Sequence, residues 1–419
     1  MLITLKRFFV YFLIVNYLQL TVMPSFAFAM EKDEILQALP RLEPIKPSSV
    51  EERDGWEAPA VLSPAIASQA LPVLTISLHR QDDNRFRLQM QQTGAAVYSD
   101  LLPKEKIAKD YQGHKIDLTL ADTLTTQVVF TTINPACNYL FDIDGHLNLG
   151  GSLETEGYFK VQKANSFSLP ANLLADSGLF LDNIKTLTHE GSTAPRVITK
   201  RGAIDIKQTG DPLELKAVLE ARTGIRIEAD TGDLIIASDI KTPSTIFLKS
   251  KGNTLLKKTS LIGVGGIEIT SAGTVMSSEG LPTLITNKRL GVTAKRFDLK
   301  AGHYVGLEGI HLQASSLKIG NDQQSPQFQT NGNIVVKSPG EIELLLSSFQ
   351  AGGDLSFVGG GDIKIIDGQF NAANICFPID TGTVTLGNIS TVPQLTARKA
   401  IGLRGKNVLF RNGKLIAGG

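Results

Sequence analysis

The chain has 419 residues, and its 42 basic and 41 acidic side chains give a formal net charge of +1. Because the basic residues are interleaved with acidic ones, the sequence shows neither the positive footprint of a nucleic-acid-binding protein nor a stripe for a polyanion, so no nucleic-acid partner is expected. The two cysteines, Cys137 and Cys376, are far apart. We predict that each is a small buried side chain rather than half of a disulfide, so packing has to stabilise the fold.

Residues 1–29 have the three parts of a secretory signal peptide. Lys6 and Arg7 precede an apolar run over residues 8–22, and Ala27-Phe28-Ala29 supplies a cleavage site of the small-x-small type. We expect cleavage after Ala29. The apolar run is short for a membrane span, and an uncleaved anchor is the alternative interpretation.

Residues 30–72 are predicted to be a leader or linker. The stretch contains six prolines, from Pro40 to Pro72, together with many charged side chains and little apolar periodicity. Proline-rich segments of this kind act as semi-rigid spacers and do not build a packed core. The sequence does not indicate whether this leader is processed.

Strands are predicted from Val73 onward, over residues 73–78, 85–90, 96–98, 116–120 and 127–130, at irregular intervals. An open end of a β-helix exposes backbone hydrogen-bonding groups and the apolar core, so it has to be covered. We therefore predict that residues 73–190 form an irregular N-terminal β cap followed by the first turns of a solenoid.

From Gly202 onward, a short phrase recurs in which a glycine or polar corner precedes alternating aliphatic residues. The alternation places the aliphatic side chains on one face of each strand, and no single phrase can bury that face alone, so successive turns have to stack. The interval between phrases is about 18–25 residues, the period of a solenoid turn, when one turn near Val292 is included. Since the strict six-residue repeat of a left-handed helix is absent, we predict an all-β fold, a right-handed parallel β-helix (solenoid) over residues 191–419. The lead aliphatic residues are Ile225, Ile246, Ile267, Ile310, Ile334 and Leu355.

Residues 213–222 also fit a helical pattern. Their apolar side chains have the spacing of an amphipathic helix, and they equally fit a strand that bends at Ala217. The sequence leaves both assignments open.

Residues 151–177 contain a succession of glycines and short strands that is informative about family. Gly151 and Gly157 are six positions apart, and an aliphatic strand follows Gly157. Asn165 lies where a turn is expected, a Leu-Leu-Ala-Asp-Ser strand follows at 173–177, and an Asn134-Pro135 pair occurs earlier. This pattern resembles the secretion domain of the filamentous haemagglutinin family, the exported partners of two-partner secretion, in which an Asn-Pro-Asn-Gly turn occupies the position of residues 163–166.

The resemblance implies an exported protein of a Gram-negative bacterium. Such proteins cross the periplasm and pass through a dedicated barrel transporter in the outer membrane, which recognises the N-terminal cap. By the same resemblance, Gly151, Gly157 and Asn165 correspond to positions of the transporter-recognition motif, although Asn165 is the one residue of 163–166 that matches its turn. Asn134 and Pro135 resemble the first Asn-Pro pair of the motif but lie about ten residues before its position. We therefore expect a secreted or surface-located adhesin without catalytic activity or cofactor, which binds a receptor or glycan of a host or neighbouring cell.

A carbohydrate-active β-helix enzyme, either a polysaccharide lyase or a hydrolase, is the alternative function. In such enzymes carboxylates from neighbouring turns line one outer face, where they bind calcium or act as acid and base. Asp142 and Asp144 are predicted to share a strand face, and Asp230 and Asp233 lie together at a corner. These pairs are also explained as solvated side chains, so a groove with three or more carboxylates would favour the enzyme.

A histidine pair is the remaining candidate for chemistry. His303 and His311 are predicted to lie on adjacent strands, but they lack the cysteine or clustered carboxylates of a metal centre, so no metal site is expected. A structural envelope protein retained in the periplasm is a third functional possibility.

Overall fold

The computed structural model describes residues 71–82, 85–95, 97–111, 114–120, 126–189, 194–210, 212–277, 280–379 and 381–418. These residues are all β and include no helix, and the predicted β-helix with an N-terminal β cap is confirmed. The predicted signal peptide (1–29) and the leader (30–72), apart from its last two residues, lie outside the described residues.

Six strands form the cap, and most of them pair antiparallel. The first three make one antiparallel meander and the next three make a second. The strands are β1 (Val73–Arg80), β2 (Arg85–Gln92), β3 (Tyr98–Pro103), β4 (Lys106–Tyr111), β5 (His114–Thr119) and β6 (Gln127–Thr132). Strands β1 and β6 also pair parallel with the first turn of the solenoid, so the cap covers that end by continuing its ladders.

The remaining strands build a parallel solenoid of about 13 turns. The first sixteen are β7 (Asn138–Ile143), β8 (His146–Leu149), β9 (Ser152–Thr155), β10 (Tyr158–Leu169), β11 (Asn172–Ala175), β12 (Gly178–His189), β13 (Arg196–Thr199), β14 (Ala203–Gln208), β15 (Leu213–Leu215), β16 (Val218–Ala221), β17 (Ile225–Ala229), β18 (Leu234–Ile236), β19 (Ile240–Thr242), β20 (Thr245–Ser250), β21 (Thr254–Leu256) and β22 (Ser260–Gly263). The others are β23 (Gly266–Ser277), β24 (Thr283–Thr286), β25 (Arg289–Leu299), β26 (His303–Gly306), β27 (Gly309–Ile319), β28 (Gln327–Thr330), β29 (Asn333–Ser338), β30 (Ile342–Ala351), β31 (Leu355–Gly359), β32 (Ile363–Pro378), β33 (Thr383–Leu386), β34 (Gln394–Arg404), β35 (Asn407–Phe410) and β36 (Lys414–Ala417).

The pairing divides each turn into three faces. Face one includes β7, β14, β17, β20, β29 and β31, face two includes β8, β15, β18, β21, β33 and β35, and face three includes β9, β11, β13, β16, β19, β22, β24, β26, β28 and β36. Longer strands pass a corner without interruption: β10, β12, β23, β25 and β27 join faces one and two, β30 joins two and three, and β34 joins three and one. Strand β32, with 16 residues, contributes to all three faces.

The recurring phrases of the sequence all lie on face one and in register. Ile225 pairs with Ile246, and Ile246 pairs with Ile267, so these turns are 21 residues long. The turn expected near Val292 is present, and its lead residue is Leu290, which pairs with Ile267 below it. All of these aliphatic side chains are buried. The predicted stacking of lead residues is confirmed.

Aromatic rings continue the core on face three. Tyr304, Phe328, Phe349 and Phe370 occupy one register position on four successive turns. Their neighbouring ring centroids are 4.7, 4.6 and 5.5 Å apart, with nearly parallel planes. Offset stacking at this spacing adds to the free energy gained by burying the rings.

The corner between faces three and one contains a second regularity. Its inward position alternates between a buried threonine and a small residue on successive turns. The threonine hydroxyl satisfies the corner backbone: Oγ1 of Thr330 accepts the N–H of Gly332 at 3.0 Å and lies 3.3 Å from the carbonyl oxygen of Leu307 one turn below. The positions on successive turns are Thr155, Ala175, Thr199, Ala221, Thr242, Gly263, Thr286, Gly306, Thr330 and Ala351.

Residues 213–222 form two short strands, β15 and β16, and not a helix. Ala217 lies at the bend between them and is buried. Strand β16 pairs with the turns before and after it, and β15 pairs with β18 of the following turn. Stacking therefore decides between the two assignments that the sequence left open.

The cysteine prediction is correct for one residue and wrong for the other. Both thiols are free, and Cys137 is fully buried as expected. Cys376 is partly exposed, because it occupies an outward position between the buried side chains of Ile375 and Phe377. The alternation of side chains in a strand places it on the surface.

The aromatic stack gives a stability prediction. We expect Phe349→Ala to lower the free energy of unfolding by about 3–5 kcal/mol, because its ring is fully buried between those of Phe328 and Phe370. Urea unfolding followed by far-UV circular dichroism measures this loss. Gln350→Ala, at an exposed position of the same strand, is the matched control and should change stability by less than about 0.5 kcal/mol. A loss below about 1 kcal/mol for Phe349→Ala would contradict the stacked core.

Candidate functional site

Three residues of the secretion-domain resemblance meet at one corner of the first turns. The side-chain oxygen of Asn134 accepts the N–H of Ala136 at 3.0 Å, which shapes the approach to β7. The carbonyl of Pro135 accepts the N–H of Glu156 at 2.9 Å from the turn above. Gly157 follows Glu156 directly, so Gly157 lies one turn above Asn134 and Pro135.

Gly157 has a steric role at this corner. A Cβ at this position would overlap the carbonyl oxygen of Cys137 one turn below. Its N–H donates to Oγ1 of Thr155 at 3.1 Å, which closes the corner. The close approach of two backbones requires glycine here.

The other two residues of the resemblance lie at different corners. Gly151 is between β8 and β9 and has a φ of 77°, a left-handed conformation that favours glycine. Asn165 lies within β10, where that strand passes from face one to face two, and its N–H donates to the carbonyl of Gly145 at 2.8 Å. The structure therefore has a continuous strand where the resemblance places a tight turn, and it distributes the five residues over three corners.

Asp142 and Asp144 lie together, as expected from their spacing, but a histidine and a lysine lie beside them. His79 of the cap lies 3.5 Å from Asp142 Oδ2 and 3.4 Å from Asp144 Oδ2. Lys163 Nζ lies 2.6 Å from Asp144 Oδ1. Burial acts to raise the pKa of Asp144, but the hydrogen bond and the charge of Lys163 outweigh it and lower this pKa. The cluster links the cap to the first turns through His79 and through the N–H of Arg80, which donates to Asp144 Oδ2 at 3.3 Å.

The second carboxylate pair, Asp230 and Asp233, also contacts polar groups of neighbouring turns. Asp230 pairs with Lys207 at 3.0 Å, and Asp233 accepts the N–H of Asn253 at 2.7 Å. Both carboxylates connect neighbouring turns. Their geometry supports the interpretation as solvated structural pairs.

The expectation that His303 and His311 lie on adjacent strands is wrong. His303 lies in β26 on face three, between Thr283 and Gln327. His311 lies in β27 on face one, between Gly291 and Val335. The chain passes from face three to face one between the two histidines, so they belong to different ladders.

An outward column on face one contains partly buried charged and aromatic groups. Asp205, Arg226, Phe247 and Glu268 lie on four successive turns in direct register. The guanidinium of Arg226 lies 5.5 Å from the centroid of the Phe247 ring, and its Nε donates to Glu228 Oε1 at 2.8 Å. Burial raises the pKa of Asp205 to about 6, although the charge of Arg226 acts to lower it.

The same column continues into a cluster of three titratable groups. The side chain of Glu268 extends into the space that a Cβ at Gly291 would occupy. Arg289 contacts Nδ1 of His311 one turn above. Burial raises the pKa of Glu268, and burial together with the positive charges of Arg289 and Lys337 lowers the pKa of His311 to about 4. His311 is therefore neutral near pH 7, and it is a weak base.

A cleft of about 490 Å³ lies at the corner between faces three and one in the early turns. We call it the corner cleft. Arg201 Nη2 lies 2.8 Å from Asp176 Oδ2, and Lys200 Nζ lies 3.9 Å from Glu154 Oε1. Oδ1 of Asp176 is buried and has no hydrogen-bond partner. The cleft is lined by Glu154, Thr155, Glu156, Leu174, Asp176, Lys200 and Arg201.

The corner cleft combines one largely buried carboxylate with exposed charged side chains. Asp176 is held in place by Arg201, whereas the side chains of Glu154, Lys200 and Arg201 are more than half exposed. Carboxylate acceptors beside ammonium and guanidinium donors suit a ligand with many hydroxyl groups. In the described part of the chain, no group of three or more His, Cys, Asp or Glu side chains has a geometry that could hold a metal ion.

The sequence patterns did not single out the corner cleft. Its charged residues lie in corners, where the alternation of strands gives no signal. One signal was present in the sequence. Glu156, Asp176 and Arg201 each come directly before a corner glycine or serine, and the intervals between them are close to one solenoid turn. Stacking the sequence at that period would have brought them together.

Comparison of the chain with protein-family models, with curated proteins and with solved structures finds no match. Within the described ranges, no helix has the length and apolar character needed to cross a membrane.

Asp205 gives a prediction about pH. Its pKa in the folded protein is about 6, above the ordinary value of 3.8, so the folded state binds its proton more tightly. This contribution to stability is fully present below pH 3.8 and is lost as the pH rises through 6. The free energy of unfolding of the wild-type protein should therefore fall by an amount on the order of 1–3 kcal/mol between pH 4 and 7. Asp205→Asn should not show this fall.

Urea unfolding at several pH values measures the effect. The difference between the wild-type protein and Asp205→Asn should grow as the pH rises. Asp322→Asn, at an exposed loop position, is the control and should follow the wild-type curve. Parallel curves for Asp205→Asn and the wild-type protein would contradict the burial of this carboxyl.

Proposed function

We propose that this protein is an exported adhesin of the filamentous haemagglutinin type, which contacts other surfaces without catalysing a reaction. In this proposal it passes through the periplasm and a barrel transporter of the outer membrane, and it acts in secreted or surface-bound form. Its target is a receptor or glycan on a host or neighbouring cell. The resemblance in residues 151–177 and the signal-like segment at 1–29 motivate the route of export.

The observation that carries the non-catalytic role is the pairing of charges along the outside of the solenoid. Outward carboxylates lie beside cations of neighbouring turns, so their charges are neutralised. Such exposed pairs add at most about 1 kcal/mol each to stability, but they leave few carboxylates poised for acid–base chemistry. Examples are Lys160 with Asp182, Arg196 with Glu220, Lys207 with Asp230, Lys318 with Glu343, and Lys364 with Glu341.

The corner cleft is the best-suited contact point for a glycan in this proposal. It is concave, and it presents carboxylate, ammonium and guanidinium groups next to each other. Losing one charge-assisted hydrogen bond costs about 1.5–3 kcal/mol, which is at least a tenfold change in affinity. Contacts along a repeating surface can add further weak interactions.

Binding of the purified full chain to a glycan array and to intact cells tests the adhesive role. We expect saturable binding that falls at least tenfold in Arg201→Ala, because this change removes a donor and releases Asp176. Arg222→Ala, at the same corner one turn further on, is the matched control and should bind as the wild-type protein does. Absence of binding to any cell or glycan would contradict the proposal.

A carbohydrate-active enzyme is the second candidate, because the corner cleft brings together Glu154, Glu156 and Asp176 from neighbouring turns beside Lys200 and Arg201. Incubation with acidic polysaccharides, with and without calcium, separates the two functions. The adhesin binds such a polymer or leaves it untouched, and produces no new chain ends. Turnover that is abolished in Asp176→Asn and retained in Asp322→Asn would establish the enzyme and overturn the non-catalytic role.

A further inference from the structure

One side of the later turns carries no charged side chain. On face three, the turns that contain β22, β24, β26, β28, β30 and β32 each present two outward side chains, and none of these twelve is Asp, Glu, Lys or Arg. The first outward column consists of Ser260, Thr283, His303, Gln327, Ser348 and Gln369. The second consists of Ile262, Ile285, Val305, Gln329, Gln350 and Asn371. We call these twelve side chains the neutral face.

The absence of charge does not extend to the surface around the neutral face. Below it in the second column, Glu220 and Lys241 stack under Ile262. Face two of the same turns carries a column of acidic and basic side chains, which are Asp298, Lys318, Glu343 and Lys364. The composition of the neutral face is therefore a local property and does not follow from the average composition of the chain.

The upper turns of the neutral face present side-chain amides to solvent. Five such side chains are exposed, and no described residue hydrogen-bonds to their amide groups. Each amide has two N–H donors and a carbonyl acceptor, so it can pair with a donor or with an acceptor. The five are Gln327, Gln329, Gln350, Gln369 and Asn371.

The lower turns of the neutral face are aliphatic in the second column. Ile262, Ile285 and Val305 are partly exposed. Val264 and Leu307, which follow the strands β22 and β26, extend this apolar strip and are 40% and 38% exposed. The neutral face thus combines an apolar strip with a field of amides.

The aromatic stack of the core lies directly beneath the upper turns of the neutral face. On each of four turns, the inward residue between the two outward columns is a ring of that stack, from Tyr304 to Phe370. Fully buried, closely stacked rings leave these strands little freedom to move. The amides are therefore presented from a rigid support, and a ligand does not have to order it.

The lack of charge restricts the chemistry of a ligand. An acidic polymer would bring its anions against strands that offer no cation, and removing an unpaired charge from water is costly. A hydroxyl group both donates and accepts, so it pairs with an amide in either direction. The C–H groups of sugar rings can cover the aliphatic strip.

The size and composition of the neutral face do not suit a folded protein. Six turns that contribute four residues each give a flat area of about 400 Å², whereas a stable interface needs about 800 Å² from each partner. None of the twelve side chains is Trp, Tyr or Arg, the residues that dominate the binding energy of such interfaces. A second copy of this chain meets the same limits.

We propose that the neutral face binds an uncharged polysaccharide that lies along the solenoid axis. The proposal deepens the adhesive function and rests on it, because it names the chemical class of the target. Its site is separate from the corner cleft, which lies in earlier turns. Each turn contributes a weak contact, and the contacts add along a polymer.

Affinity electrophoresis of the purified full chain tests the proposal. Native gels contain a neutral polymer (dextran, xyloglucan or galactomannan) or an acidic one (polygalacturonate or heparin). At least one neutral polymer should retard the protein. Raising the salt concentration from about 0.1 M to about 1 M should leave this retardation unchanged, because no ion pair is screened.

A pair of double variants locates the contact. Gln329→Glu with Gln350→Glu places two carboxylates in register on the neutral face and should weaken binding of the neutral polymer at least tenfold. Thr293→Glu with Gln313→Glu makes the same change at two exposed positions in register on face one. This matched control should bind as the wild-type protein does, and so should Arg201→Ala. Far-UV circular dichroism and thermal unfolding confirm that each variant is folded.

The failure of this proposal is distinguishable from failure of the adhesive function. Binding to cells or acidic polymers without binding to a neutral one would overturn the neutral face and leave the adhesive function standing. Absence of binding to any cell or polymer would overturn both. Neutral-polymer binding that survives Gln329→Glu with Gln350→Glu would place the contact elsewhere, and a dimer that this variant dissociates would assign the face to a second copy.

Discussion

Every turn of this solenoid depends on its neighbours to cover inward side chains and to pair its backbone. A strand of three to six residues cannot bury its apolar face or satisfy its backbone groups alone, and both needs are met when the same register position recurs one turn later. The column from Ile225 through Ile246 to Ile267 shows this directly. The stability of the fold is therefore approximately a sum of contacts between neighbouring turns.

The N-terminal cap meets this constraint for the first turn of the solenoid. At the start, the antiparallel cap continues the parallel ladders through β1 and β6, so the first core residues are covered.

The outside of the solenoid is organised by the same register. Stacking places each outward residue above the outward residue of the previous turn, so charges form columns and pair along the axis. On face one the column brings Glu268, Arg289 and His311 together over Gly291, and at a corner it brings Asp176 beside Arg201. These groupings come from residues 20 or more positions apart. Function at such a surface is set by register and not by local sequence.

The sequence by itself determined the class of fold and the period of its turns, because alternation of aliphatic residues and corner glycines is a local signal that stacking amplifies. It correctly located the lead residues of face one, the strands β1, β2, β5 and β6 of the cap, and the shared face of Asp142 and Asp144, but it placed β3 too early and did not predict β4. It did not determine the outward position of Cys376, the separation of His303 from His311, the alternation of threonine with small residues at one corner, or the corner cleft.

Only the tertiary structure decided these features. Each feature depends on the number of residues in the intervening corners. A change of one residue in a corner moves a side chain to the other side of a strand or to another ladder. Corner lengths vary from turn to turn and leave no periodic trace in the sequence. The sequence therefore predicts which side chains stack in the core. Which side chains become neighbours on the surface is decided only when the turns are stacked.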